Sequence, residues 1–419
     1  MNRASFRDIL FVNTYWVGLS FMWNSLHVII LPAVLLHLVP ESLKNTYLGL
    51  LTFFGLILAM VIQPISGAIS DHWTSAWGRR RPLIVLGTLF DFVFLAFLGW
   101  SGGLAWLAIG YIGLQISSNV AHGPLQGLLP DVVPEAQLGR ASGIKNLMDM
   151  IGLVAASLLM GQLVDPDVRH PVGVMGLVAA VLAVGAAFTL FGVREKPFLA
   201  GDRRMNWMAW RDSFRIDLGV HRAFAWLIAS RFLFLIGIYG VQSFAQYYVR
   251  DVLAVANPIE LTGNLLAAIT LALIFFALAG GWLGDRIGHM RVSLLASLFG
   301  FLGCMLMIWA RTPETLLVYG SIFGVGIGLF LTANWALANE LAPQAEAGKF
   351  MGLTNLATAG AAAVGRLEGP LIDALNNARP GAWLGYMGLF LTGAICILAS
   401  AFLLTAVRSA QTRSLTQVV

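Results

Sequence analysis

The stretch GAISDHWTSAWGRRRP, residues 67–82, separates two long apolar runs and contains three consecutive arginines, Arg79, Arg80 and Arg81. A second stretch with a similar beginning, GWLGDRIGHMR at 281–291, occupies the corresponding place in the second half of the chain. Both stretches carry Gly-x-x-x-Asp followed by basic residues. This recurrence indicates that one half of the chain repeats the other.

A second pair of segments supports the repeat. DVVPEAQLGRASGIKNL at 131–147 and ELAPQAEAGKFMGLTNL at 340–356 share the pattern acid-x-x-Pro-x4-Gly-basic-x2-Gly-x2-Asn-Leu. The two pairs occur in the same order in each half. We therefore expect two structurally equivalent halves.

The composition places the chain in a membrane. Hydrophobic residues make up 58% of its 419 residues and charged residues only 11%, whereas a soluble domain has about 25% charged residues. Apolar runs of about 20 residues are long enough to span a bilayer as helices. The sequence predicts an all-α polytopic protein with twelve transmembrane helices, near 9–38, 46–70, 83–100, 104–129, 141–164, 171–193, 223–249, 260–284, 291–310, 314–340, 349–375 and 382–407.

The longest polar stretch divides these helices six and six. We predict an N-terminal six-helix bundle at 1–193, a cytoplasmic linker at 194–222, a C-terminal bundle at 223–407 and a cytoplasmic tail at 408–419. Trp207, Trp210 and Phe214 recur at helical spacing among arginines in the linker, which predicts an amphipathic helix on the inner leaflet.

The distribution of lysine and arginine sets the predicted orientation. Most of these residues fall in alternate loops together with both termini, so both termini are expected in the cytoplasm. Because the basic residues are spread over short segments between helices, nucleic-acid binding is not expected. The only cysteines, Cys304 and Cys396, lie in apolar runs and show no metal-site spacing. We expect neither cofactor nor metal. Short loops without a glycosylation sequon favour a prokaryotic inner membrane.

The Gly-x3-Asp…Gly-Arg-Arg-Arg and Gly-x3-Asp-Arg-x-Gly motifs resemble the loop motif of the major facilitator superfamily. SD-x-x-T-S-x-x-GRRRP, His122-Gly123-Pro124 and YYVRDVL at 247–253 are similar to the sucrose/proton symporters and the neighbouring glycoside–pentoside–hexuronide cation symporters. The resemblance covers nearly the whole chain and implies two six-helix bundles around a central cavity lined by spans 1, 4, 7 and 10.

The resemblance also implies inner gates. Asp71 would face the start of span 11 near Lys349, and Asp285 would face the start of span 5 near Arg140. The gating candidates are Gly67, Asp71, Arg79, Arg80, Arg81, Asp131, Arg140, Asp285, Arg286, Glu340 and Lys349.

Polar residues gather on single faces of the same spans. Gln115, Asn119, His122 and Gln126 in span 4 follow helical spacing, as expected for a wet cavity, since polar side chains facing lipid are costly. Asn and Gln both donate and accept hydrogen bonds, which suits a neutral sugar. The alternative is that these amides only join helices. The candidate substrate-binding residues are Asn24, His27, Gln115, Asn119, His122, Gln126, Gln242, Gln246, Trp335 and Asn339.

Few charged residues lie within the spans. Asp149 follows Lys145 by one turn and is a candidate for binding a proton or sodium ion, with Arg231 as its partner across the cavity. His122 and His27 are further candidates because histidine titrates near neutral pH. Asp91 is expected to be structural.

One departure from the sucrose symporters concerns coupling. Those proteins carry an Asp and an Arg in span 4 at the positions of Gln115 and Gln126. Coupled sugar symport by alternating access, in a monomer, is the first prediction from the sequence. An uncoupled sugar uniporter, a drug or metabolite efflux antiporter and a non-transporting receptor remain alternatives, whereas no enzyme motif is present.

Overall fold

The computed structural model describes residues 4–100, 102–193, 195, 197–198, 221–343 and 346–416. The predicted amphipathic helix lies outside these residues. The described chain is almost entirely helical, with one isolated antiparallel bridge between Ser75 and Phe198. Its α-helices are α1 Phe6–Asn24, α2 Leu31–Leu35, α3 Lys44–His72, α4 Arg81–Gly99, α5 Leu104–Val132, α6 Leu138–Leu163, α7 Val172–Gly192, α8 Arg222–Tyr248, α9 Pro258–Ile287, α10 His289–Ile308, α11 Pro313–Leu341, α12 Ala347–Arg366, α13 Glu368–Ala378 and α14 Leu384–Thr416.

Eleven helical segments of the described chain are long and apolar enough to cross a membrane, which confirms an all-α polytopic protein. The predicted span at 349–375 is instead two helices, α12 and α13, that meet at Leu367. Pro370 lacks an amide hydrogen and its ring crowds the carbonyl of Arg366, which breaks the helix at this point. The last helix continues to Thr416, past the predicted start of the tail at 408.

The first span of each half contains a wider helical turn. Residues Ser25–Ile30 form a π-helical turn between α1 and α2, and Val249–Leu253 form another at the end of α8. Such turns redirect the side chains that follow and occur frequently at functional sites. The first of them carries His27, one of the candidate binding residues.

The described residues divide into two compact units. The first holds residues up to Glu41 and from Phe54 to Phe198, and the second holds Ser42–Phe53 and the residues from His221 onward. Within the first unit α1 packs on α6 and α7, and α4 packs on α5 and α7. Within the second, α8 packs on α12 and α14, and α10 packs on α11 and α14. The same helix pairs therefore recur in both halves.

Close helix packing in the first unit depends on Gly123. A β carbon at this position of α5 would lie 2.3 Å from the carbonyl oxygen of Gln63 and 2.7 Å from the amide nitrogen of Gly67 on α3. Gly123→Ala should therefore push α3 and α5 apart and cost about 1–3 kcal/mol, the usual range for overpacking. Thermal unfolding in detergent measures this loss. Gly139→Ala, where nothing lies within 4 Å, should be neutral, and equal stability of the two variants would contradict the prediction.

Candidate substrate site and gating clusters

An aromatic–amide cluster, comprising Trp23, His27, Tyr111, Gln115 and Asn119, lies in the first unit. The Tyr111 hydroxyl is 2.8 Å from Nε2 of His27 and accepts from Nε2 of Gln115 at 2.7 Å. Asn119 donates to the Gln115 carbonyl at 2.8 Å, and the Trp23 ring stacks on His27 at 5.1 Å. Predicted residues from spans 1 and 4 thus meet, joined by Trp23 and Tyr111, which were not among the candidates. Tyr111 precedes Gln115 by four residues, so extending the stripe by one turn would have found it.

The remaining candidates of the first unit lie nearby but make fewer mutual contacts. Asn24 donates to the carbonyl of Ser20 at 2.8 Å. The His122 ring packs edge-on against Trp16 at 5.0 Å. Gln126 is exposed, and its Nε2 lies 3.5 Å from the His122 ring. The stripe is therefore continuous on α5, but only its first half is tightly bonded.

Asp149 has its electrostatic partner on its own helix. Nζ of Lys145 lies 3.4 Å from Oδ2 of Asp149 and 4.0 Å from the centre of the Trp16 ring. The Ser20 hydroxyl donates to the backbone carbonyl of Asp149 at 2.7 Å. This pair fixes the carboxylate beside the polar face of α1.

Arg231 in the second unit is held by neutral partners. Its Nη1 donates to Oδ1 of Asn334 at 2.9 Å and its Nε to the Thr358 hydroxyl at 3.1 Å. The guanidinium also lies 5.6 Å from the Trp335 ring. The sequence analysis left Asn334 out because its helical position differs from that of Trp335. The buried side-chain amide of Asn334 therefore links α8 to α11.

The other candidates of the second unit are more dispersed. Trp335 is 39% exposed, and the Asn339 amide donates to its carbonyl at 3.0 Å. On α8, Gln246 is buried and Gln242 half-buried. These positions form polar faces on α8 and α11.

Arg80 is the centre of the first gating cluster, defined as Ser70, Asp71, Arg79, Arg80 and Asp131. Its side chain is only 7% exposed. It forms ion pairs with Asp71 and, at 2.8 Å, with Asp131, and donates to the Ser70 hydroxyl at 2.5 Å. Arg79 also binds Asp131, at 2.5 Å, and this hydrogen bond raises the pKa of Arg79 above its ordinary value. The arginines thus tie the end of α3 to the end of α5.

Glu195, which was not among the candidate residues, binds the loop between α3 and α4. Its carboxylate accepts the backbone amides of Arg79 at 2.8 Å and Arg80 at 3.0 Å, at the start of α4. A carboxylate is favoured there because the helix dipole places positive potential at a helix N-terminus. Gly78 has a φ of +95°, and a β carbon on it would touch the Glu195 carboxyl. Phe198 pairs with Ser75 and packs under Arg79 at 5.6 Å.

The second unit repeats this cluster with a histidine in place of arginine. Nδ1 of His289 lies 2.6 Å from Glu340, and its Nε2 lies 3.9 Å from Asp285. Because histidine is charged only when protonated, this counterpart is a weaker electrostatic link. The remaining gating candidates make local contacts within their units. Arg286 packs over Trp282, Arg140 packs over Phe6, Lys349 pairs with Glu346, and Gly67 adjoins Gly123.

The start of α3 belongs to the second unit and is held within it by a group that we call the α3 latch: Lys44, Asn45, Asp251, Asp373 and Tyr386. Lys44 and Asp251 form an ion pair at 2.6 Å with both side chains 4% exposed. The Tyr386 hydroxyl donates to Asp251 at 2.6 Å, and Asn45 donates to Asp373 at 2.8 Å. The sequence analysis identified none of these residues, because each lies at the end of a span.

The helices and their polar interior faces define an integral membrane transporter. The part of the chain that the structure describes holds no group of three or more His, Cys, Asp or Glu side chains arranged to bind a metal ion. The family model for the major facilitator superfamily matches residues 8–366. The chain belongs to this superfamily and is a transporter, not an enzyme.

Comparison with individual proteins narrows the class no further. The chain is 21% identical to a multi-drug resistance efflux pump PmrA homolog of Lactococcus lactis, over 89% of each protein. It is 25% identical to the glucuronide carrier protein homolog of Escherichia coli, over 65% of this chain and 61% of that protein. The crystal structure of the D-xylose-proton symporter has the same fold, with a TM-score of 0.72 at 16% identity over 95% of this chain and 97% of the other.

Proposed function

We propose that this protein carries a sugar or glycoside across the cytoplasmic membrane by alternating access, driven by a proton or sodium gradient. The aromatic–amide cluster is the observation that supports the proposal. The Tyr111 hydroxyl and the Gln115 amide can both donate and accept, as sugar hydroxyls require. The stacked rings of Trp23 and His27 offer an apolar face beside them. Two of the proteins that the chain resembles are named for a glucuronide and for D-xylose.

The clusters around Arg80 and His289 are proposed to act as gates on the cytoplasmic side. Both lie beside loops that are predicted to be on the inner side of the membrane. This location agrees with the proposal that both termini are cytoplasmic. Breaking the bonds of Asp71 and Asp131 to Arg80 would release the ends of α3 and α5. Asp149, Arg231 and His122 remain candidate coupling residues, and the transporter is proposed to act as a monomer.

Uptake into proteoliposomes tests the proposed function. Radiolabelled sucrose, maltose, glucose and a phenyl β-glucuronide are supplied with and without an imposed proton or sodium gradient. Saturable uptake that rises with a gradient supports coupled transport, and uptake that ignores both gradients supports a uniporter. If no sugar enters, the proposal fails.

Efflux of a drug or metabolite is the second candidate. The observation that favours it is the similarity to the PmrA homolog, which extends over 89% of both chains. Inverted vesicles that accumulate a fluorescent dye on energisation, without transporting any sugar of the panel, would support efflux.

Gln115→Leu should weaken sugar binding strongly. The substitution removes the donor to Tyr111. It also removes the side-chain Oε1 that accepts from Asn119 at 3.3 Å, while the backbone carbonyl of residue 115 remains an acceptor. An unsatisfied buried polar group costs about 1–3 kcal/mol. We expect KM for the transported sugar to rise by roughly tenfold or more, since about 1.4 kcal/mol corresponds to a factor of ten. Gln126→Leu is the matched control on the same helix, where the exposed amide should matter less. An equal KM in both variants would contradict the assignment of the cluster.

A further inference from the structure

Glu368 has two buried carboxyl oxygens, and neither has a hydrogen-bond partner among the described residues. It is the first residue of α13, directly after the break at Leu367. Buried polar side-chain atoms in native proteins nearly always have a partner. A carboxyl group with both oxygens unsatisfied inside a helical unit is therefore a marked exception.

Gly240 of α8 lies against this carboxyl. A β carbon on Gly240 of α8 would lie 2.9 Å from Oε1 of Glu368, so the glycine leaves the space that the carboxyl occupies. Arg366 turns back along α12 and donates to the carbonyl of Ala362 at 2.6 Å. No ion pair to Glu368 occurs among the residues that the structure describes.

The titratable groups on neighbouring parts of the second unit interact with other residues. Tyr239 of α8 interacts electrostatically with Arg231 and Arg366. Lys44 is paired with Asp251, and Asp373 of α13 accepts from Asn45. The groups that face the carboxyl from α10 and α14 are the thiols Cys304 and Cys396.

An ionised carboxylate without a donor or counter-ion is far less stable in such a site than the neutral acid. Burial without a partner therefore favours the protonated form of Glu368 in this conformation. The helix break gives the segment a joint at which water can reach the carboxyl once α13 moves. The carboxylic acid then loses its proton to water, and the carboxylate takes up a proton again before it is reburied.

We propose that Glu368 is a proton-binding site that links proton movement to substrate transport. The inference rests on the proposed function for its transport step, whereas the protonation of Glu368 can be tested alone. A membrane potential of about 100 mV contributes about 2.3 kcal/mol per proton moved, roughly a fiftyfold accumulation of substrate. Glu368 was not among the coupling candidates of the sequence analysis, because its lack of a partner depends on how the helices pack.

The first arm of the test uses dicyclohexylcarbodiimide on the full-length protein in liposomes. This reagent accepts the proton of a carboxylic acid on nitrogen, and the carboxylate oxygen adds to its central carbon. The product rearranges to an N-acylurea that mass spectrometry locates. We expect labelling at Glu368 that falls as the pH is raised, and none at Glu260, an exposed residue of α9. Absence of labelling at Glu368 across the pH range would overturn the proposal.

The second arm compares Glu368→Gln, Glu368→Asp and Glu260→Gln with the wild type, using the labelled sugar panel. Glu368→Gln should lose gradient-driven accumulation and fall to simple equilibration, while sugar exchange between loaded vesicles continues. Glu368→Asp should keep part of the accumulation because it still binds a proton, and Glu260→Gln should behave as wild type. Gradient-driven accumulation by Glu368→Gln equal to that of the wild type would refute the coupling role.

The two arms separate the inference from the proposed function. If the wild type transports no sugar of the panel, the proposed function fails, and labelling still decides whether Glu368 binds a proton. If Glu368→Gln loses exchange as well as accumulation, the residue is structural and the coupling role is overturned. Size-exclusion profiles confirm in each case that the variants are folded.

Discussion

Replacement of Arg80 by alanine is expected to destabilise the first unit by about 3–5 kcal/mol, the usual cost of breaking a buried ion pair, and to reduce uptake to background. Arg80 is 7% exposed and binds Asp131 at 2.8 Å and Ser70 at 2.5 Å. Without the guanidinium, Asp131 keeps only Arg79. The end of α3 then loses its attachment to α5. Thermal unfolding and proteoliposome uptake measure the two effects.

Two further substitutions sharpen this test. Arg80→Lys should recover only part of the loss, because an ammonium group cannot reach several acceptors in the fixed fork of a guanidinium. Asp131→Asn should give a similar loss, and the double variant should lose less than the sum because the two residues share one network. Arg169→Ala, at an exposed loop position, is the control. An Arg80→Ala protein as stable and active as Arg169→Ala would refute the central role of Arg80.

Asp251→Asn is expected to have a comparable effect in the second unit. Lys44 and Asp251 are each 4% exposed and lie 2.6 Å apart. Removing one charge of such a pair costs about 3–5 kcal/mol because the other charge stays buried. The Tyr386 hydroxyl, 2.6 Å from Asp251, loses its charged acceptor as well. The unfolding temperature in detergent should fall, and the start of α3 should open to solvent.

A cysteine introduced at the half-buried Thr46, whose amide donates to Asp373 at 2.6 Å, reports this opening. Its rate of reaction with a maleimide should rise when Asp251→Asn is combined with it. Arg250→Ala is the matched control, because its pair with Asp251 is 3.3 Å long and the arginine is 37% exposed. Surface pairs of this kind contribute about 0–1 kcal/mol. Unchanged labelling and an unchanged unfolding temperature in Asp251→Asn would show that the α3 latch does not stabilise the start of α3.

The two gating clusters differ in a way that only their geometry reveals. The first is centred on the guanidinium of Arg80, which pairs with Asp71 and Asp131. The second is centred on the imidazole of His289, which lies between Asp285 and Glu340. The repeat in the sequence aligns Asp71 with Asp285 and Asp131 with Glu340, and it predicts similar clusters. The residue that bonds the two acidic residues is Arg80 in the first half and His289 in the second. These two residues do not occupy the same position of the repeated motif, so the histidine was not predicted.

The sequence predicted the secondary structure and the polar helix faces correctly where the membrane allows only one arrangement. Apolar runs of sufficient length must be helical because every backbone amide needs an intrahelical partner in lipid. Polar side chains must share a face because lipid excludes them, which is why Gln115 and Asn119 were found. The span at 349–375 was predicted but its break at Leu367 was not, because an apolar run alone does not show whether Pro370 kinks or ends the helix.

The sequence by itself determined the helical membrane fold, the internal repeat and the polar faces, since each follows from local composition and spacing. The tertiary structure alone decided which side chains meet. Arg80 reads as one of three loop arginines until the packing of α3 on α5 buries it. Glu195 and Asn334 contact their arginines across long stretches of chain. Glu368 became distinctive only when the surrounding helices left it without a partner, because burial and hydrogen bonding are properties of the packed chain.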